Sequence, residues 1–383
     1  MYYLTVKLPA SYHQMSIEEL LFQDTCFTGV VRNENLTATR TYEIENISKK
    51  TKDRYRPYII TAANAIRNFN ERTECLREKN REELYTTFKI PKHSGGLRTI
   101  NAPNEALKTE LRNLKEILEN NFGTLYHTSA FAYIPKRCNV DALKKHQRNE
   151  SRWFFKTDFS DFFGSTTLEF LMKQLSMIFP FSELMKNYAD KKELEKALEL
   201  AFLNGGLPQG TPISPLLTNL MMIPIDYRLS TTLQKFNNQK FIYTRYADDI
   251  LVSCKYDFEY KKIERLIHET LQEFEAPFII KPEKTRYGSS SGRNWNLGLM
   301  LNQNNEITVG HKKKKQFQSM LYSYVKDKEN GISWSIEDIR SLEGLKSYYH
   351  MVEPEVIDRI IEYMNKKLNV DIPQLIKADL AGI

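Results

Sequence analysis

Two adjacent aspartates, Asp248 and Asp249, stand in Tyr246-Ala-Asp-Asp249 between two hydrophobic, β-rich runs, Phe241–Arg245 and Ile250–Cys254. Aspartate disfavours strands, so the pattern predicts a hairpin with both carboxylates at its turn. A third carboxylate, Asp158, closes the strand-like apolar segment Trp153–Asp158. If these strands are neighbours in one antiparallel sheet, the three carboxylates converge. Such a cluster could hold a pair of divalent ions, whose remaining oxygen ligands come from water and phosphate. Two ions so held stabilise the attacking and departing oxygens of an in-line displacement at phosphorus, in which a 3′-hydroxyl attacks and pyrophosphate leaves.

The elements that must position these groups are legible in outline. Tyr85 to Ile90 alternates as a strand, Lys92-His-Ser-Gly-Gly-Leu-Arg98 reads as a turn with Gly95 and Gly96 at its tip, and Leu97 to Asn101 returns. That is a hairpin bearing basic residues. Leu107, Leu111, Leu114 and Leu118 have the spacing of an amphipathic helix over Ala106 to Asn121, and Ile59 to Lys79 reads as a more polar one. After Asp158, Phe159-Ser-Asp-Phe-Phe-Gly-Ser165 leads into a helix starting near Thr166. Leu207-Pro-Gln-Gly-Thr-Pro-Ile-Ser-Pro215 is a loop that opens a helix, with Ser214 and Pro215 suited to its cap and first turn. Trp295 to Leu301 and Glu306 to Val309 read as a short strand pair joined by Asn302-Gln-Asn-Asn305. Helices follow at His311 to Lys328, Ser335 to Val352 and Glu355 to Leu368, the last opened by Pro354.

At 383 residues the chain is long for one core and suits two or three lobes. Its 41% hydrophobic and 27% charged residues describe an ordered, soluble protein with little room for long disorder. No stretch approaches the roughly 20 apolar residues of a membrane helix. Lys7 and Pro9 interrupt the start too soon for a secretory signal, so a cytoplasmic protein with no membrane partner is expected. Cys26, Cys75, Cys138 and Cys254 are scattered without the spacing of a zinc site or a disulfide framework. The formal net charge of +7 favours a polyanionic partner, and its distribution says more than its size. Lys312, Lys313, Lys314 and Lys315 form an unbroken run, and Lys136, Arg137, Lys144, Lys145 and Arg148 a second cluster. Each is either a solvated face or a contact for a phosphate backbone.

Tyr246-Ala-Asp-Asp249 resembles the signature of reverse transcriptases, and four further blocks follow that family's order. They are Asp-x-x-x-Phe-Phe at Asp158 to Phe163, Leu-Pro-Gln-Gly-x-x-x-Ser-Pro at Leu207 to Pro215, Lys284-Thr285, and Leu297-Gly298. The resemblance spans about residues 86–310 and implies an α+β, right-hand polymerase fold with an antiparallel palm sheet, fingers and a helical thumb. It divides the chain into an N-terminal extension of unknown role at 1–85, fingers and palm at 86–310, and thumb at 311–383. It implies an RNA-directed DNA polymerase that makes cDNA with two Mg²⁺ ions, Mn²⁺ being able to substitute. Asp158 and Asp248 would be the shared metal ligands, joined by the backbone carbonyl of Phe159 and supported by Asp249. Phe163 would lie under the sugar of the incoming nucleotide and exclude a ribose 2′-hydroxyl. Gln209 and Gly210 would line the nucleotide pocket beside Phe159, and Arg98 and Lys92 would hold the triphosphate. Lys284 would protonate departing pyrophosphate. Leu297 and Gly298 would grip the primer end, and Lys312, Lys313, Lys314 and Lys315 would follow the template-primer backbone. Ordinary alternatives exist: Asp161 as a helix cap, Phe162 as core, and Arg98 as a surface arginine.

Two blocks resemble fingers segments of the bacterial branch related to group II introns and retrons. They are Gly95-Gly-Leu-Arg-Thr-Ile-Asn-Ala-Pro103, followed by Leu107-Lys108, and His127-Thr-Ser-Ala-Phe-Ala-Tyr133, followed by Pro135 and Lys136. Ser214-Pro215 differs from the Ser-Gln of diversity-generating retroelements, and Ile307-Thr-Val-Gly310 departs from the Val-Thr-Gly block of retrons. No Cys/His cluster follows the thumb region, so a mobile-intron protein is not expected. The resulting expectation is a stand-alone enzyme of antiphage defence. Its partners would be an RNA template, a dedicated non-coding RNA, together with dNTPs and the DNA product, and either a second copy of itself or an effector subunit. Two other classes stand beside it: a template-independent or protein-primed DNA polymerase on the same fold, and a non-catalytic RNA-binding scaffold.

Overall fold

The computed structural model describes residues 47, 49–91, 95–123, 125–234, 236, 239–291, 295 and 297–381. They fall into two units. The first comprises the described chain up to Arg137, Phe155–Val252 and Glu259–Arg286; the second comprises Cys138–Phe154, Ser253–Phe258 and the described chain from Tyr287 onward. No helix among the described residues is long and apolar enough to cross a membrane.

In the first unit, β1 (Tyr85–Pro91) and β2 (Leu97–Pro103) pair antiparallel, with Ile90 opposite Arg98 and Phe88 opposite Ile100. Asn104 then caps the helix Glu105–Phe122 by accepting the Leu107 N–H, and that helix buries Leu107, Leu111, Leu114 and Leu118 as their spacing predicts. The helix expected over 59–79 begins earlier and ends sooner, at Lys49–Arg72, with a separate turn at Glu74–Arg77.

The central sheet has the order β4 (Ile242–Tyr246), β5 (Asp249–Cys254), β3 (Trp153–Ser160), β6 (Ile279–Ile280), and β7 (Arg286–Ser289) also pairs with β3. β3 and β6 are antiparallel, with Phe159 opposite Ile280. β3 and β5 also run in opposite directions. The Arg152 N–H donates to the Cys254 carbonyl at one end, and the Phe159 N–H donates to the Asp248 carbonyl at the other. Strand β3 runs two residues past Asp158, so that carboxylate lies within the strand and not at its end.

The helix Ser214–Gln234 packs on β4 and on the helices Leu168–Leu175 and Tyr260–Glu273. It buries most of its residues, among them Leu217, Met221, Ile225 and Leu229, which marks a core helix, and its last turns, at Arg228, Thr232 and Gln234, reach solvent. The capping oxygen at its start comes from Thr211, whose hydroxyl accepts the Ser214 N–H at 3.3 Å. Ser214, expected to cap, sits inside the first turn, and its hydroxyl donates to the Pro208 carbonyl. The helix expected from Thr166 starts at Leu168, capped by Thr167.

The second unit carries a smaller strand pair than its sequence suggests: β8 (Met300–Leu301) and β9 (Ile307–Thr308). The chain turns instead at Leu297 and Gly298, both at positive φ, and the Trp295 N–H donates to the Leu299 carbonyl. Helices His311–Glu329, Ile336–Val352 and Pro354–Leu368 agree with expectation, and a fourth, Ile372–Ala381, was not anticipated.

Beneath the β4–β5 turn of the first unit lies a buried ion pair. Arg245, at the end of β4, and Asp226, on the core helix, have side chains 1% and 0% exposed. Arg245 donates through Nε at 2.9 Å to Asp226 Oδ1 and through Nη2 at 2.8 Å to Oδ2, and the Tyr243 hydroxyl donates to Oδ1 at 2.6 Å. Its remaining donors reach the Ala247 carbonyl at 3.0 Å and Asn219 Oδ1 at 3.3 Å. Breaking such a pair strands a buried charge. Asp226→Ala is therefore expected to destabilise the protein by about 3–5 kcal/mol, while the double replacement Asp226→Leu, Arg245→Met costs less than either single change. Urea denaturation midpoints of Asp226→Ala, of the double replacement and of its two single changes check this.

Candidate active site

The hairpin places Asp248 in the β4–β5 turn and Asp249 as the first residue of β5. The preceding Ala247 sits at φ 57°, a left-handed conformation that favours glycine, and its carbonyl is the one held by Arg245. The Phe159 N–H meets the Asp248 carbonyl at 3.3 Å, so the backbone next to Asp158 adjoins the turn. Asp158 is 5% exposed, and both of its oxygens face ammonium groups: Lys281 at 3.2 Å and Lys284 at 2.8 Å. Asp249 pairs with Lys156 at 2.8 Å.

Asp248 is the carboxylate with the least compensation. Burial, and then the charges of Asp158 and Asp249, push its pKa up to about 6, and Lys284 offsets only part of this. Lys284 moves the other way. Burial works against its charge, but the hydrogen bond and charge of Asp158 outweigh it and hold the ammonium above its ordinary range. The site thus has excess negative charge at Asp248 and a firmly protonated lysine beside it.

Next to the carboxylates, the turn after β3 and the loop from Leu207 are stitched together. The Leu207 N–H donates to the Phe163 carbonyl at 3.0 Å, and a Cβ on Gly206 would come within 2.2 Å of the Gly164 carbonyl oxygen. The Gln209 carbonyl accepts the Asn101 N–H of β2 at 2.8 Å. Gly210 sits at φ +118°, and a Cβ there would lie 2.9 Å from Ile100 and 3.0 Å from the Asn101 carbonyl oxygen. The hairpin and this loop therefore approach as closely as two backbones can, and Arg98 projects from the same hairpin, exposed. Phe162 is core, as its alternative reading had it, while Phe163 is half-buried and edge-on to Phe162, ring centroids 5.8 Å apart. Asp161 caps no helix; its side chain lies against Gly164. Lys92 lies outside the described residues.

In the second unit, Leu297 is exposed at the tip of its turn. The basic run divides by helical position. Lys313 donates to the Gly298 carbonyl at 2.9 Å, and Lys314 pairs with Glu353 at 2.9 Å, whereas Lys312 and Lys315 are exposed.

A family model for reverse transcriptase (RNA-dependent DNA polymerase) matches residues 90–319. The chain belongs to this family. It is 28% identical over 291 residues to the retron Ec83 reverse transcriptase of Escherichia coli, covering 72% of this chain and 85% of that one. With the retron Mx65 reverse transcriptase of Myxococcus xanthus it shares 26% over 295 residues, covering 74% and 65% of the two chains. Among solved structures, apo telomerase from Candida tropicalis aligns at a TM-score of 0.45 with 13% identity, over 80% of this chain and 59% of that one.

Among the described residues of this reverse transcriptase, no three histidine, cysteine or carboxylate side chains are gathered into a metal cage. Mg²⁺ needs no such cage, since one or two carboxylates together with substrate phosphates suffice. The partly compensated carboxylate of Asp248, beside Asp158 and Asp249, fits a divalent cation, which would compete with the ammonium groups now paired to those two. Lys156 and Lys281 were not anticipated. Lys156 precedes Asp158 by two positions, so strand periodicity puts both on one face. Lys281 becomes visible only once β6 is paired with β3, because its carboxylate lies 123 residues away in sequence.

Because the folded pKa of Asp248 is raised, the native metal-free protein binds a proton that the unfolded chain releases near pH 4. The associated stability is complete below that pH and is lost as pH rises through about 6. Asp248→Asn is therefore expected to stabilise the metal-free enzyme at pH 7.5 by about 1–3 kcal/mol, with the gain vanishing toward pH 4. Thermal melts across pH in EDTA measure both.

Proposed function

We propose that this reverse transcriptase copies an RNA template into DNA by nucleotidyl transfer at Asp158 and Asp248, with Asp249 in support and Mg²⁺ as the metal. The observation that carries this reading is the adjacency of the Asp248 turn to the β3 backbone at Phe159, next to the strand residue Asp158 and its partner Lys284. Asp158, Asp248 and the Phe159 carbonyl would hold the metal ions, whose chemistry when bound is to stabilise the attacking and departing oxygens.

The chain's own groups do the rest. Lys284, protonated and beside Asp158, is placed to deliver a proton to departing pyrophosphate. Arg98, exposed on β2, offers a forked set of donors suited to phosphate oxygens. Gln209 and Gly210 bring the loop backbone against the hairpin that carries Arg98, which fixes one wall of the nucleotide pocket. Phe163 is the residue under the incoming sugar. Leu297 and Gly298 contact the primer end, and Lys312 and Lys315 are the members of the basic run free in geometry to follow a phosphate backbone. We read the template as a dedicated non-coding RNA and the setting as antiphage defence, on the likeness to retron reverse transcriptases.

Incorporation of labelled dNTPs with Mg²⁺ on a primed RNA tests the reading. Asp158→Asn is expected to lower the rate by on the order of a thousandfold. Lys284→Ala is expected to lower kcat by about a hundredfold with little change in KM. Wild-type rates from Asp158→Asn would refute the site, and product that persists after RNase removal of the template would refute the template.

A further inference from the structure

Tyr133 ends the block His127-Thr-Ser-Ala-Phe-Ala-Tyr133, and the polymerase reading gives it no task. Its backbone lies at φ 61°. A left-handed conformation is strained for a non-glycine residue and persists only where the surroundings impose it.

They do so here from several directions. The Arg245 N–H donates to the Ser129 carbonyl at 2.7 Å, and the Phe131 N–H donates to the Arg245 carbonyl at 3.0 Å. Asn219 donates to the Ala132 carbonyl at 2.8 Å. The Arg137 guanidinium donates to the Ala130 carbonyl at 2.7 Å and stacks over Tyr126, its Cζ 4.2 Å from the ring centroid. Ala130, Phe131, Ala132 and Ile134 are buried, yet Tyr133 between them is 53% exposed. Glycine or asparagine would make the same turn with less strain, so the turn alone does not account for a tyrosine.

The ring's surroundings do. It stands edge-on to Phe163, centroids 6.2 Å apart and planes at 77°. Partial burial raises the pKa of its hydroxyl, the negative charge of Asp248 adds to the rise, and the charge of Arg98 opposes it.

We propose that Tyr133 is a specificity-determining residue: with Phe163 it forms a two-ring gate at the sugar of the incoming nucleotide, holding the Phe163 ring where a 2′-hydroxyl would collide with it. This role presupposes that Phe163 lies under that sugar. The strained loop serves as a rigid backing, and the edge-on contact limits how far Phe163 can swing away.

The test is steady-state kcat/KM for dNTPs and for rNTPs on one primed RNA, using the full-length wild type, Tyr133→Ala, Tyr133→Leu, Tyr133→Phe and Phe163→Ala, with thermal melts alongside. Tyr133→Ala and Tyr133→Leu are expected to lower the dNTP-to-rNTP preference by about tenfold, mainly through a lower KM for rNTPs, while Tyr133→Phe holds it within about twofold. Adding Tyr133→Ala to Phe163→Ala is expected to lower the preference no further, since the tyrosine acts through that ring. If Phe163→Ala relaxes the preference and Tyr133→Ala does not, the proposal is overturned and the Phe163 assignment survives. Equal loss for both nucleotides, tracking a fall in melting temperature, would also overturn it, because a merely structural residue behaves so. If Phe163→Ala leaves the preference unchanged, the gate falls together with the reading beneath it.

Discussion

A guanidinium with 1% of its side chain exposed is tolerable only where nearly every donor is met, and Arg245 meets that demand through three partners. Its side chain binds Asp226 and Asn219 on the core helix and the carbonyl of Ala247 in the β4–β5 turn. Its backbone exchanges hydrogen bonds with Ser129 and Phe131, which flank the bridge between Ala130 and Arg245. One residue therefore fixes the helix, the strand, the loop that carries Tyr133, and the left-handed residue before Asp248. The ion pair need not add much net stability to have this effect, because its demand for satisfied partners leaves few alternative arrangements of the turn.

On that frame the site accumulates like charge, which folding alone would avoid. Asp158 and Asp249 are neutralised by three lysines, drawn from β3 and from the segment after β6, while Asp248 keeps a proton affinity well above that of an ordinary aspartate. Under the proposed mechanism this arrangement is in place before any cation enters, and such preorganisation leaves little rearrangement for the reaction itself. The corollary is a metal-free state less stable than the same fold with a neutral side chain at 248, the familiar opposition between stability and a charged functional site.

How much of this was legible follows from what each element depends on. The Asp248–Asp249 hairpin and the helix Glu105–Phe122 were readable because their signals are local: aspartates between β-rich runs, and leucines at helical spacing. Asp158 was found, but its strand was cut short, since Phe159 and Ser160 continue the ladder only by pairing with Ile280 and Ile279. The strand expected at Trp295–Leu301 failed for a related reason. Trp295 is buried against Phe154, ring centroids 5.5 Å apart, and the positive φ of Leu297 and Gly298 turns the chain before a ladder can form. Apolar residues suit either outcome, and tertiary packing decided. Lys281 and Tyr133 carried no pattern that sequence alone could weigh, for each matters through a partner distant along the chain.

The run Lys312–Lys315 shows the same limit for charge. Read along the sequence it is four positive charges; wound into a helix it is two pairs. Lys313 is turned inward to the Gly298 carbonyl, where burial lowers its pKa, and Lys314 is neutralised by Glu353, which also accepts the Val309 N–H. Those two lysines tie the turn bearing Leu297 and the β8–β9 hairpin to the helices that follow. Only Lys312 and Lys315, three residues apart and so on one helical face, retain the exposure that a phosphate contact requires. Each phosphate contact releases about one counterion, so if the run follows a nucleic-acid backbone as proposed it would do so with about two charges and not four. Helical phase thus commits Lys313 and Lys314 to architecture and leaves Lys312 and Lys315 exposed.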